Sequence, residues 1–131
     1  MWLRWRVVRR RRVVRRRGHL AGTKADYHAH KETTRRLVQQ RLAQLNLVYG
    51  FTYQRIAIKN SATRWGSCSK AGNLNFHYKV GLLPAELADY VLVHELCHLK
   101  ELNHSKRFWM LVAKTIPNYK HCRQQLRHWP N

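Results

Sequence analysis

Pro84-Ala85-Glu86-Leu87-Ala88-Asp89-Tyr90-Val91-Leu92-Val93-His94-Glu95-Leu96-Cys97-His98-Leu99 is the stretch whose reading decides the fold. Pro84 suits the first turn of a helix, and the pattern predicts that this helix continues to about Leu102. Leu83, Leu87, Tyr90 and Val91 lead into His94, Cys97 and His98 along one stripe, while Ala85, Ala88, Leu92, Leu96 and Leu99 form a second. A helix apolar on two sides is a buried central helix, not a surface one. His94-Glu95-Leu96-Cys97-His98 is an HExxH pattern inside it. Residues four apart share a helix face, so both imidazoles can reach one ion.

Two ligands do not complete a site, because catalytic zinc usually takes three from the protein and keeps a fourth position for water. His104 lies six residues beyond His98. Residues 100–103 give the helix room to end and turn back, with Asn103 able to take left-handed backbone geometry at the exit. Glu101 is the alternative third ligand, or a hydrogen-bonding neighbour of one. Glu95 is expected beside the zinc-bound water as general base, taking its proton as it attacks a polarised carbonyl. A structural zinc site would need a fourth protein ligand, and Cys97 is the obvious one. On a helix Cys97 is rotated about 100 degrees from His98, which favours packing over ligation.

Working outward, Thr34, Leu37, Val38, Arg41, Leu42 and Leu45 recur at helical spacing and predict a helix that follows Asp26 and runs to about Asn46, punctuated by Gly50. Strands are expected over Phe51–Lys59, Thr63–Cys68 and Leu74–Tyr78, the last two joined by hairpin-turn residues Ser69–Asn73. Downstream, Ser105 is a good N-cap for a helix with Phe108, Leu111, Val112 and Ile116 inside, stopped by Pro117. A last helix fits residues 118–129. The expected architecture is α+β, a small antiparallel sheet packed on the buried HExxH helix with flanking helices.

The chain has 131 residues, 44% of them hydrophobic, which is enough for one folded core. Its 26 Lys+Arg against 6 Asp+Glu give a net charge of +20. Nine arginines fall between Arg4 and Arg17 with no acid among them, and the rest keeps 17 basic against 6 acidic residues, a net +11. Residues 1–25 therefore read as a flexible basic arm able to meet nucleic acid or another polyanion, and residues 26–131 as the folded domain. Cys68, Cys97 and Cys122 are odd in number and widely spaced, which suits a reducing compartment. No apolar run approaches the roughly 18 residues of a membrane span, and arginines break up any signal-like segment. A cytoplasmic protein is the expectation.

Arg64-Trp65-Gly66-Ser67-Cys68-Ser69, Asp89-Tyr90-Val91, the HExxH segment, and Asn103-His104-Ser105 with Phe108-Trp109 together resemble the YgjP-like metal-dependent hydrolases, also called the DUF45 group. These are similar to the SprT and WLM zinc peptidase domains. The resemblance covers roughly residues 30–128 and implies a compact gluzincin-like fold, a zinc ligand at His104 and a metallopeptidase acting on peptide or protein. A metzincin is disfavoured, since Glu101 stands where that group has glycine and Met110 lies within a helix. The arginine-dense start replaces the longer β-rich portion that family members often carry. Two other functions remain open: a zinc-dependent nucleotide phosphoanhydride hydrolase, without a visible Gly-rich phosphate cradle, and a nucleic-acid-binding protein with a secondary zinc site.

Further residues carry weaker signals. Arg64 could hold a substrate anion or pair with Asp89. Trp65 reads as core, and Gly66 as a point of close backbone approach. Asn75 and His77 share a strand face that could border the cleft. Tyr119 could supply a hydroxyl to the reaction, although its spacing with Cys122 favours core. The third strand is expected to offer an open edge to an extended peptide.

Overall fold

A computed structural model describes residues 20–130 and the backbone of residues 2–4. In chain order come β1 (Trp2–Arg4), α1 (Lys24–Tyr49), β2 (Arg55–Lys59), β3 (Arg64–Cys68), β4 (Asn73–His77), a short 3-10 helix (Tyr78–Leu82), α2 (Ala85–Cys97), α3 (Lys106–Ala113) and α4 (Tyr119–Arg127). The class is α+β, as expected. Most of the arginine-rich segment, and with it the expectation of a polyanion-binding arm, lies outside the described residues. Residues 20–22 belong to the folded body: Leu20 is buried and donates its N–H to the Ala62 carbonyl at 3.1 Å. Gly22 and the Asn60 side chain exchange two 2.9 Å hydrogen bonds.

Helix α1 starts at Lys24, ahead of the expected start after Asp26, because the Thr23 hydroxyl accepts from the Asp26 N–H and caps it. It runs on to Tyr49, where Gly50 takes a left-handed φ of 69° and returns its N–H to the Asn46 carbonyl. Thr34, Val38, Leu42 and Leu45 are its buried positions. Leu37, expected among them, stands partly exposed.

The sheet corrects one expectation. Its order is β1-β3-β4-β2, and β2 runs parallel to β4, with Ile56 opposite Leu74 and Ile58 opposite Phe76. The sheet is mixed, not wholly antiparallel. The β3–β4 hairpin is antiparallel and turns on Ser69–Asn73, with Gly72 at a φ of 90°. That hairpin folds β4 back into the space between β3 and β2. The connection over residues 60–63 must therefore cross the end of β4. His77 holds it there: Nδ1 accepts from the Lys79 N–H at 3.1 Å, which leaves Nε2–H to donate to the Ser61 carbonyl at 3.1 Å. Burial pushes the His77 pKa down to about 4, so the ring is neutral. Because β4 is interior, the open edge expected on the third strand does not exist.

Helix α2 is buried along Leu87, Ala88 and the whole of Tyr90–Cys97, as its two-sided apolar pattern requires. It ends at Cys97, earlier than the expected Leu102. The chain tightens there into three-residue turns, Leu99 N–H to Leu96 and Lys100 N–H to Cys97. Asn103 does not adopt left-handed geometry, since no described non-glycine residue has positive φ. Asp89 pairs with Arg41 of α1 through two parallel 2.8 Å bonds, so the Arg64–Asp89 pair suggested by the sequence is absent. The Ser105 hydroxyl caps α3 by accepting from the Phe108 N–H.

Candidate metal centre

The end of α2 and the loop after it place three imidazoles around one point. His94 and His98 are successive turns of the same helix face, and His104 comes from the loop that precedes Ser105. Nε2 of His94 lies 3.1 Å from Nε2 of His104 and 3.2 Å from Nε2 of His98, and the His98–His104 separation is 3.2 Å. The far nitrogens of His94 and His98 are committed elsewhere. His98 Nδ1 lies 2.9 Å from the Glu101 carbonyl, which can only accept, so Nδ1 carries the hydrogen and Nε2 presents a bare lone pair. His94 Nδ1 meets the Tyr90 hydroxyl at 3.2 Å.

Lone pairs converging at this range repel unless a cation sits among them. With zinc–nitrogen bonds of about 2.05 Å, separations of 3.1–3.2 Å subtend roughly 100° at the ion, close to tetrahedral and on one side of it. The residues thus fit a three-histidine ion with an open position. Protonation does not compete for the nitrogens at neutral pH: burial holds His98 down to about 3 and His104 down to about 4. His94 lies well below its ordinary value, through burial first and the neighbouring His98 and His104 next.

Aromatic packing sets the rings. Phe108 stacks on His98 with ring centres 4.3 Å apart and meets His94 and His104 edge-on. Trp109 stacks on His104 at 5.7 Å with planes 21° apart. These two side chains project from the first turn of α3, which Ser105 fixes.

Glu95 is fully buried on α2 and faces the middle of β3. A methyl carbon at Gly66 would come within 3.0 Å of Glu95 Cγ and 3.2 Å of its Oε2, so the glycine is what lets strand and carboxylate approach. The close approach read from the sequence is therefore made to Glu95 itself. Glu101 contributes its backbone carbonyl, not its carboxylate: the ligating cluster among the described residues comprises the three histidines. Trp65 is core. Arg64 opens β3, half-buried, with its carbonyl accepting from the Ser61 hydroxyl. Asn75 and His77 point away from the site. Gly66 pairs with Phe76 on the Glu95 side of the sheet, and alternation puts their neighbours on the other side, where Asn75 donates to Ser67 Oγ and His77 meets Trp65. Tyr119 is half-buried and stacks on Trp109.

Sequence reasoning placed Tyr90 in an apolar stripe and in the Asp89-Tyr90-Val91 segment of the family resemblance, without giving its hydroxyl a role. The signal that marks it is the spacing: Tyr90, His94 and His98 fall at every fourth residue, so the phenol stands one turn behind the first histidine. Cys97, expected to pack in preference to ligating, is buried and stands outside the three-histidine cluster, and the three cysteines are free thiols in the core.

A buried helix carrying two histidines and a carboxylate beneath a sheet, with a third histidine returning from the next loop, defines a hydrolytic metal enzyme. The YgjP-like metallopeptidase domain model matches residues 7–129, and the chain belongs to that family. Among solved structures it is similar to the metallopeptidase zymogen of Pyrococcus abyssi abylysin, at 27% identity and a TM-score of 0.63, covering 72% of this chain and 97% of that one. No curated protein matches its sequence. The chain is a metal-dependent peptidase. No helix among the described residues is long and apolar enough to cross a membrane.

Proposed function

We propose that the chain is a zinc peptidase in which His94, His98 and His104 hold the ion and Glu95 is the general base. The observation that carries this is the triangle of Nε2 atoms at 3.1–3.2 Å, with the outer nitrogens of His94 and His98 already engaged. Three nitrogen donors suit zinc, which supplies Lewis acidity toward a carbonyl oxygen and toward water. Glu95, held between strand and helix, accepts the proton of the attacking water and returns it to the leaving amine. Its burial strengthens that exchange, because a carboxylate out of bulk solvent interacts more strongly with a neighbouring charge. Tyr90 and the Glu101 carbonyl keep the first two rings turned with Nε2 inward.

Zinc content and cleavage of an unfolded protein, measured on wild type and on Glu95→Gln, test the assignment. Glu95→Gln should bind one equivalent of zinc and lose at least a hundredfold in turnover. Zinc-loaded Glu95→Gln that cleaves as wild type does would remove Glu95 from the mechanism.

A further inference from the structure

From His104 a wall of stacked rings leads to a cation. His104 is the exposed member of the triad. Trp109 stacks on His104, Tyr119 stacks on Trp109 at 4.8 Å and 15°, and Arg123 sets its guanidinium carbon 5.3 Å from the Trp109 ring centre. Tyr119 and Arg123 are one turn apart on α4, so the same helix face supplies both. A guanidinium lying on an aromatic face keeps its in-plane N–H groups pointing outward, the arrangement that grips a carboxylate with two bonds.

The acids of the chain leave this cation unanswered. Of the six, Asp26 and Glu32 sit on α1. Glu86 and Asp89 sit in the early turns of α2, where Glu86 accepts from Asn118 and Asp89 is bound to Arg41. Glu95 and Glu101 complete the set. None of the described ion pairs involves Arg123.

We propose that Arg123 is a specificity residue of this peptidase, binding a carboxylate of an acidic peptide along the wall beside His104. The proposal rests on the peptidase reading above, and it makes acidic peptides or acidic protein segments the substrate class. The same stack could serve only to clamp α4 onto α3, in which case reversing its charge would alter stability and not preference.

Equilibrium binding separates the two without requiring turnover. The zinc-loaded full chain carrying Glu95→Gln is titrated with a labelled Glu-rich decapeptide and with its Gln counterpart, read by fluorescence anisotropy at physiological salt. The acidic peptide should bind about fivefold tighter, as an exposed charge pair allows. The preference should vanish in Arg123→Gln and turn toward a Lys-rich decapeptide in Arg123→Glu. It should persist in Lys31→Glu, which makes the same charge change at a cation lying over the Tyr27 ring of α1. Thermal melts establish that each variant folds. A preference that survives Arg123→Gln overturns the proposal. So does a single-stranded oligonucleotide that displaces the peptide and shows the same dependence on Arg123, which would make nucleic acid the ligand. If the chain with Glu95 intact cleaves none of the peptides yet binds them through Arg123, the zinc-peptidase reading fails, and what stands is Arg123 as a carboxylate-binding residue.

Discussion

Replacing Gly66 with alanine would place a methyl carbon 3.0 Å from Glu95 Cγ, 3.1 Å from the Asn75 carbonyl oxygen and 3.2 Å from Glu95 Oε2. Contacts of that kind ordinarily begin near 3.4 Å, so something must give by about 0.4 Å. The carbonyl belongs to the β3–β4 ladder and resists, whereas the Glu95 side chain can yield at Cγ by a few tenths of an ångström, so the carboxylate moves. Gly66 is not in the left-handed region, so alanine is conformationally acceptable there. It recovers about 0.5–1 kcal/mol of backbone entropy, against about 1–3 kcal/mol for overpacking. The net expectation is a loss of about 1 kcal/mol in stability. Catalysis should suffer more. If a 1 Å misplacement costs about a hundredfold, 0.4–0.5 Å on the same logarithmic scale costs about tenfold in kcat. Zinc affinity should stay within twofold of wild type, because the atoms nearest the new methyl group belong to Glu95 and the Asn75 backbone and not to a histidine. The assay is cleavage of a quenched-fluorescent unfolded protein, with zinc affinity by chelator competition and a thermal melt on the same sample. A Gly66→Ala variant that folds, holds zinc and turns over within twofold of wild type would refute the argument, since the carboxylate would then have slack that the packing denies it.

Tyr90→Phe removes the hydroxyl that meets His94 Nδ1 and nothing else of the buried ring. Zinc affinity by competition should fall about tenfold with little change in fold, as for other partners of metal-bound histidines, and unaltered affinity would show that packing alone orients His94. His77 predicts a pH effect on stability. Its pKa is about 4 in the folded chain against about 6.5 unfolded, so above pH 6.5 both states are neutral and nothing changes. As pH falls from 6.5 to 4 the unfolded chain takes up a proton that the folded one refuses, costing up to about 3 kcal/mol. The three metal-site histidines, also depressed, act in the same direction in the metal-free protein. Denaturant melts of wild type and His77→Gln across that window should differ in slope, the variant being flatter, and parallel curves would mean that His77 is protonated in the folded state.

The elements that depend on neighbours along the chain were legible. Two-sided apolar spacing marks α2 as buried, Ser105 marks the start of α3, and Ser69–Asn73 marks the hairpin. The helix–loop arrangement of His94, His98 and His104 also follows from spacing, because three ligands within eleven residues leave the chain few ways to turn. Errors arose where a local pattern has no knowledge of its partner. Asn75 and His77 look available on a strand read by itself, but pairing with β3 fixes which face Glu95 occupies. Arg64 and Asp89 look complementary until Arg41, on a helix packed alongside, takes the carboxylate with both nitrogens.

The chain's linear order by itself determined the HExxH helix, the third histidine and the role open to Glu95, since helical periodicity converts spacing into direction. Only the tertiary structure decided that β4 inserts between β3 and β2, that Gly66 yields its space to Glu95, and that Arg123 reaches Trp109 beside His104. Those outcomes depend on which surfaces meet when the core closes, and close packing between distant segments is set by shape and volume that no local pattern encodes.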